Sequence, residues 1–307
     1  MIHLERFISV LSTMDNTVPS VLAAMLTWAT MYILLCVIYS TRSYEWHVRL
    51  VTMVHATLVT GLSWICSYNY GPWPFTDAGG VNTAFQETIV TISLGYFLFD
   101  LSWCLYFKTE GPAMMFHHVL SVTGLSVTLY TGLYGCEIVA VIFGTEITNP
   151  LLQLRWFLKD SGRYNTRLGE LVDIFFMTLF GTMRLGIGSY LLYTYMTNPR
   201  TDYIGRTGGW LIYSVGWIFW VSIVQFAIKK YSKKWQELKT RKTASSQKDL
   251  TDPSCDGCRD SASAACVQRV NKVIQDITKS TVDSDTVEAI KSLSSANQDS
   301  IKRSVNT

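Results

Sequence analysis

The chain has 307 residues, of which 49% are apolar and only 16% are charged, and its mean hydropathy is +0.20. That composition excludes a disordered chain, a fibrous one and an ordinary soluble enzyme. The formal net charge of +3 points to no nucleic-acid partner, because the basic residues are placed by topology rather than gathered into a patch.

Seven apolar runs are long enough for a hydrocarbon core of ~30 Å, which takes about 20 helical residues. They run from Val18 to Tyr39, Val48 to Tyr68, Thr88 to Phe107, Met115 to Tyr134, Glu137 to Leu158, Leu171 to Met196 and Gly208 to Ile228. The fold class is therefore all-α integral membrane with about seven transmembrane helices. The first run is too long for a cleavable signal peptide and follows Glu5 and Asp15, so residues 1–44 are expected to hold a lumenal N-terminus and a signal-anchor helix. The fifth run carries Glu146, Asn149, Pro150 and Arg155 and reads equally well as a kinked or re-entrant helix. All 14 Phe, 10 Trp and 16 Tyr lie at or before Trp235, which leaves residues 236–307 as a polar tail with the composition of disorder.

Basic loops stay on the cytoplasmic side. With seven spans, one side receives Arg6, Arg200 and Arg206. The other receives Arg42, Arg49, Lys108, Lys159, Arg163, Arg167 and the run from Lys229 to Lys242. The N-terminus is expected to be lumenal and the tail cytoplasmic, open to protein partners. The loop from Asn69 to Gln86 has no Lys or Arg, and its Tyr70, Trp73 and Phe75 read as an interfacial cap. In the tail, Val267, Val270, Ile274 and Ile277 have helical spacing, while Cys255, Cys258 and Cys266 lack a fourth ligand for zinc.

An ionisable side chain at mid-membrane costs at least ~2.5 kcal/mol on insertion scales, so it turns toward a protein-lined cavity. This chain places His55, Asp100, His117, His118, Glu146, Arg155, Asp173 and Arg184 on its spans. Helical spacing gathers them into faces: Ser93, Tyr96, Asp100 and Cys104; His117, Ser121, Gly124 and Thr128; Glu146, Asn149 and Gln153. Three consecutive spans with one polar face each imply an internal cavity. The candidate catalytic residues are His117, His118 and Asp100, an imidazole beside a carboxylate being the least that acid-base chemistry requires and also the least that a buried structural pair requires. The candidate cavity residues are His55, Tyr96, Ser121, Glu146, Asn149, Arg155, Asp173 and Arg184. Glu146 is expected to pair with Arg184 or Arg155. Gly144, Gly181, Gly186 and Gly188 read as close helix contacts. No metal is expected, because adjacent His side chains diverge around a helix and no third ligand is obvious.

Arg49 with His55, Gly95-Tyr-Phe-Leu-Phe-Asp100, Phe116-His-His118, Glu146-Ile-Thr-Asn-Pro150 and Arg155-Trp-Phe157, in this order, resemble the TLC domain shared by ceramide synthases and translocation-associated membrane proteins. The likeness covers about residues 45–235. It implies six helices around a central cavity that takes a membrane lipid or fatty acyl chain. It also implies a His pair near the cytoplasmic half, a role in membrane lipid homeostasis and the endoplasmic reticulum ahead of the plasma membrane. Two alternatives follow from the same likeness: an acyltransferase that uses acyl-coenzyme A, and a non-catalytic trafficking or cargo-binding protein. Apart from that acyl-coenzyme A, no cofactor is implied. Where the synthases carry a second cluster, His-Asp-x-x-Asp, this chain has Glu146-Ile-Thr-Asn149-Pro150, which weakens the enzyme reading.

Overall fold

The computed structural model describes the backbone of residues 2–249 and of Lys272, with side chains from Asn16 to Thr243. The tail cysteines and the Val267 to Ile277 segment lie outside the described residues. Among the described residues there are nine α-helices: α1 (Ile2–Ile38), α2 (Tyr44–Ile65), α3 (Ala84–Phe107), α4 (Pro112–Thr131), α5 (Gly135–Glu146), α6 (Asn149–Asp160), α7 (Arg167–Phe180), α8 (Gly188–Thr197) and α9 (Tyr203–Asp249). A π-helical turn, Cys66–Tyr70, extends α2, and a longer π segment, Gly181–Ile187, joins α7 to α8. The protein is all-α and integral to the membrane. The chain divides into two units after Lys230; the described part of the second is the end of α9, exposed from Ser232 to Thr243, and Lys272.

The helix starts follow from local chemistry. Ser43 caps α2 by accepting from the Trp46 backbone N–H, and Thr83 with Gln86 forms a capping box on α3. Each such cap contributes about 1 kcal/mol. Pro112 occupies the first turn of α4, where its missing N–H costs nothing.

Among the described residues, six helical stretches are long and apolar enough to cross a membrane: Asn16–Ile38, Tyr44–Tyr70, Ala84–Phe107, Gly135–Asp160, Arg167–Thr197 and Tyr203–Thr243. The remaining expected span corresponds to α4, whose 20 residues rise about 30 Å. Its apolar character is diluted by His117 and His118, both buried, so length rather than hydropathy qualifies it. The fifth run is a kinked helix: it breaks at Ile147–Thr148 between α5 and α6, and Pro150 supplies no N–H to the turn before it.

Neighbour contacts trace a ring. Helix α2 lies against α3, α3 against α4, α6 against α7, and α5 and α6 against α2. Helix α9 closes the gap between α4 and α7 through long side chains: Phe219 meets His117 edge-on at 5.7 Å, and Trp220 stacks on Phe180 at 6.1 Å. Helix α1 packs outside the ring on α3 and α2, where the Trp28 indole donates to the Ile92 carbonyl at 3.3 Å. The loop after α2 folds over one end of the ring. Asn82 holds it there by donating to the Thr128 carbonyl at 3.0 Å and accepting from the Gly135 N–H at 2.7 Å, while Glu137 accepts from the Gly79 N–H at 2.5 Å. Of its aromatic residues only Tyr70 is fully turned outward. Trp73 and Phe75 line a cavity, with Phe75 stacked on Tyr190 at 5.2 Å.

Helices α1 and α3 approach closely at Gly95. A Cβ on Gly95 would stand 2.6 Å from the Ala24 Cβ and 2.7 Å from the Met25 backbone nitrogen, whereas one on Gly61 would meet nothing within 4 Å. Gly95→Ala is therefore expected to cost about 1–3 kcal/mol by overpacking, seen as a lowered Tm of the detergent-solubilised protein. Gly61→Ala should leave Tm unchanged or raised.

Candidate functional site

Two cavities occupy the ring. The larger, about 990 Å³, is mostly apolar and runs between α4, α5, α8 and α9. The smaller, about 410 Å³, is walled by α2, α3, α4, α6, α7 and α9 and carries most of the ionisable side chains. Three side chains line both: Phe97, His117 and Arg184. They form the partition between an apolar chamber and a polar one.

Arg184 projects from the π segment Gly181–Ile187. Its Nη2 donates to the Thr145 carbonyl at 3.1 Å, and its guanidinium lies 4.8 Å from the Phe180 ring centroid. The Nε is buried without a hydrogen-bond partner, so the partition holds a cation with an unfilled donor. The π insertion rotates this side chain relative to an α-helical register, and such insertions concentrate at functional sites. The expected ion pair of Arg184 or Arg155 with Glu146 does not form. Glu146 instead accepts from the Asn149 amide at 2.9 Å and stands 3.8 Å from the His55 Nδ1, because the break after it turns its side chain toward α2.

His55 does not line either cavity. It is fully buried behind the wall, stacked on Tyr96 at 3.7 Å with the Trp28 edge 5.4 Å away, and neither ring nitrogen has a hydrogen-bond partner. Tyr96 does reach the polar chamber and donates to the Thr52 hydroxyl at 3.0 Å. His118 also lines that chamber, with its Nε2 3.6 Å from Asp100 Oδ2. Asn149 joins them on the same wall, while Ser121 lies apart, on the apolar chamber. The expected stripe of Ser93, Tyr96, Asp100 and Cys104 is turned inward along its whole length. Of the four glycines expected at helix contacts, only Gly181 is one, with the Trp220 ring 3.1 Å from where its Cβ would be. Gly144, Gly186 and Gly188 instead line the large chamber, which their missing side chains widen.

Sequence reasoning placed Cys104 on the α3 stripe but not among the site residues, and it missed Glu137 and Lys230 as participants. Cys104 lies with Asp100 and His118 in one buried cluster whose ligand atoms are all within 4.8 Å of one another. Its signal was the i, i+4 spacing from Asp100. Glu137 and Lys230 were missed because their partners, Gly79 and Asp173, are remote in sequence. Outside the spans, burial pushes the Glu110 carboxyl up, with Arg49 at 3.7 Å pulling the other way. The Tyr134 hydroxyl, donating at 2.6 Å, holds Asp202 below its ordinary value.

Asp173 anchors one wall of the polar chamber. Arg155 reaches it at 2.7 Å and Lys230 at 2.6 Å, and the Tyr164 hydroxyl donates to it at 2.6 Å. One carboxylate thus links α6, α7 and α9. Removing one partner of a buried pair costs about 3–5 kcal/mol. Asp173→Asn is expected to reach that range, because it leaves Arg155, Lys159 and Lys230 facing one another. Arg155→Gln should cost less, since Lys230 still neutralises Asp173. Thermal unfolding of the two variants beside wild type checks the order.

The sequence pattern of the TLC domain matches residues 45–229, from the start of α2 to the end of the ring. The chain is 32% identical over 122 residues to TLC domain-containing protein 4 A of Dictyostelium discoideum, covering 38% of this chain and 46% of that protein. It is 32% identical over 147 residues to TLC domain-containing protein 4 C of the same organism, covering 44% and 51%. With TLC domain-containing protein 2 of Danio rerio it shares 28% over 120 residues, covering 38% and 48%. The chain thus spans about half the length of these curated relatives. With the domain pattern matched across the whole helical ring, the chain belongs to the TLC domain family.

Proposed function

We propose that the protein holds a membrane lipid with its acyl portion in the large chamber and its polar end at Arg184, and so contributes to membrane lipid homeostasis. The observation that carries this reading is the partition: a guanidinium whose buried Nε has no acceptor, between an apolar volume of about 990 Å³ and a polar one of about 410 Å³. Arg184 supplies a charge-assisted hydrogen bond to a phosphate, carboxylate or carbonyl oxygen, and the apolar walls supply chain burial. In this reading the protein resides in the endoplasmic reticulum with its N-terminus lumenal and its tail cytoplasmic, as the basic loops on the Lys159 and Lys230 side favour.

Lipid extracted from the purified full-length chain and quantified by mass spectrometry tests the proposal. Gly124 lines the large chamber and has nothing within 4 Å of where its Cβ would be, so Gly124→Phe fills the volume without a backbone clash. Bound lipid is expected to fall in Gly124→Phe with Tm retained. Arg184→Gln, which loses a charged hydrogen bond of about 1.5–3 kcal/mol, should weaken binding roughly 10- to 100-fold. Equal lipid content in wild type and both variants would sink the proposal. Protease protection in sealed microsomes should digest the tail and spare the N-terminus; the reverse result would overturn the orientation.

A second reading rests on His117 and His118, both on the polar chamber with His118 near Asp100. In it, His118 acts as general base for acyl transfer from acyl-coenzyme A, and Asp100 orients the ring. Lipid profiles of cells lacking the protein, rescued with wild type or with the His117→Ala, His118→Ala double variant at matched expression, decide it. Rescue by wild type alone supports acyl transfer, whereas rescue by both removes it.

A further inference from the structure

We propose that Asp100, Cys104 and His118 form a zinc site with one open coordination position facing the polar chamber. Asp100 and Cys104 are one helical turn apart on α3 and share a face, and His118 comes from α4, which packs directly on α3. Their carboxylate oxygen, sulfur and ring nitrogen all lie within 4.8 Å of one another. The His118 Nε2 and Asp100 Oδ2 are 3.6 Å apart. That is too long for a hydrogen bond, but it is close to the roughly 3.4 Å between two donors that share a tetrahedral zinc with bonds of about 2.0–2.1 Å. The His118 ring is 6% exposed and its Nδ1 has no hydrogen-bond partner, so this imidazole lacks the bonds that would account for its burial as a structural residue.

The donor set selects the ion. A thiolate, an imidazole and a carboxylate suit zinc and disfavour magnesium or calcium, which prefer oxygen ligands. The charge environment allows it as well. Arg49, one of the cations lining the same chamber, forms its ion pairs with Glu45 at 2.9 Å and Glu110 at 3.7 Å rather than with Asp100. Two anionic ligands around a divalent ion give a neutral core, whose burial costs far less than that of two separate anions. Three protein ligands are the count of an open zinc site. All three line the polar chamber, so the fourth position takes an oxygen donor from there, water or a lipid carbonyl or hydroxyl. A metal on His118 removes it as a free base, so the site competes with the acyl-transfer reading and is independent of the lipid-holding one.

The test uses the full-length chain purified in detergent without chelator, its metal content measured by plasma mass spectrometry. Chelator-stripped protein is then titrated with Co²⁺, which gives a thiolate charge-transfer band in the near ultraviolet when a cysteine ligates it. Wild type is expected to carry about one zinc per chain and to develop the band. Cys104→Ser should abolish the band. Asp100→Asn, which keeps the thiol, should retain it with metal affinity weakened at least about tenfold. The triple variant Cys255→Ser, Cys258→Ser, Cys266→Ser should behave as wild type. Wild type that binds no zinc and shows no band overturns the site, as does a band that survives Cys104→Ser and disappears with the tail cysteines. Each variant is compared only as a monodisperse species by gel filtration. If Cys104→Ser fails that check, Asp100→Asn carries the comparison.

Discussion

A charge cannot be left facing hydrocarbon, and the arrangement of this bundle depends on that constraint. The ionisable residues on the spans turn inward, and once inside they need partners. Asp173 is where the requirement is met most completely, because its oxygens receive Arg155, Lys230 and Tyr164 from three parts of the chain. Helix α9 is otherwise tied to the ring mainly by aromatic side chains such as Phe219 and Trp220, so this ion cluster helps to fix where α9 stands. The spacing of α9 in turn decides how wide the chambers are.

The two chambers differ because the residues that widen them differ. Glycines at 144, 186 and 188 open the apolar one by leaving out side chains, and the hydroxyls of Ser121 and Thr128 add only small polar spots to its wall. The polar chamber is instead kept open by charge. Arg49 is held by Glu45 and Glu110, and Asp173 by Arg155 and Lys230, so long side chains are drawn to the walls rather than across the space. A molecule with an apolar body and a polar end meets both environments within one ring, with Phe97, His117 and Arg184 at the boundary.

Much of this was legible from residue spacing, for a specific reason. Periodicity reports which side of a helix is polar, and that sufficed to place Tyr96, Asp100 and Cys104 on one inward stripe and Glu146, Asn149 and Gln153 on another. Periodicity carries no information on which helix a stripe faces. Glu146 therefore read as the partner of an arginine, while its neighbour across the interface is His55, and Arg155 went to a carboxylate on α7. His55 read as a cavity residue for the same reason: a buried polar face can point at a packed aromatic wall as easily as at a void. The family resemblance supplied the ring, but not the division of its interior, which depends on glycines whose role is visible only once their surroundings are known.

Two backbone irregularities explain why that division falls where it does. Irregular backbone within a membrane-spanning segment is tolerated only where its freed polar groups find protein partners or line a cavity. The α5–α6 helix breaks at Ile147–Thr148, next to Pro150, and the last turn of α5 is left with carbonyls that a continuous helix would have bonded. The Thr145 carbonyl is one of them, and it accepts from Arg184 at 3.1 Å and from the Thr148 hydroxyl at 3.1 Å. Arg184 belongs to the second irregularity, the π segment Gly181–Ile187. Each defect thus answers the other. The break offers an acceptor, the π segment swings a guanidinium to it, and that one bond fixes the cation at the junction of the chambers. The Nε left over points to a further acceptor, which the lipid-holding reading assigns to the head of a bound lipid.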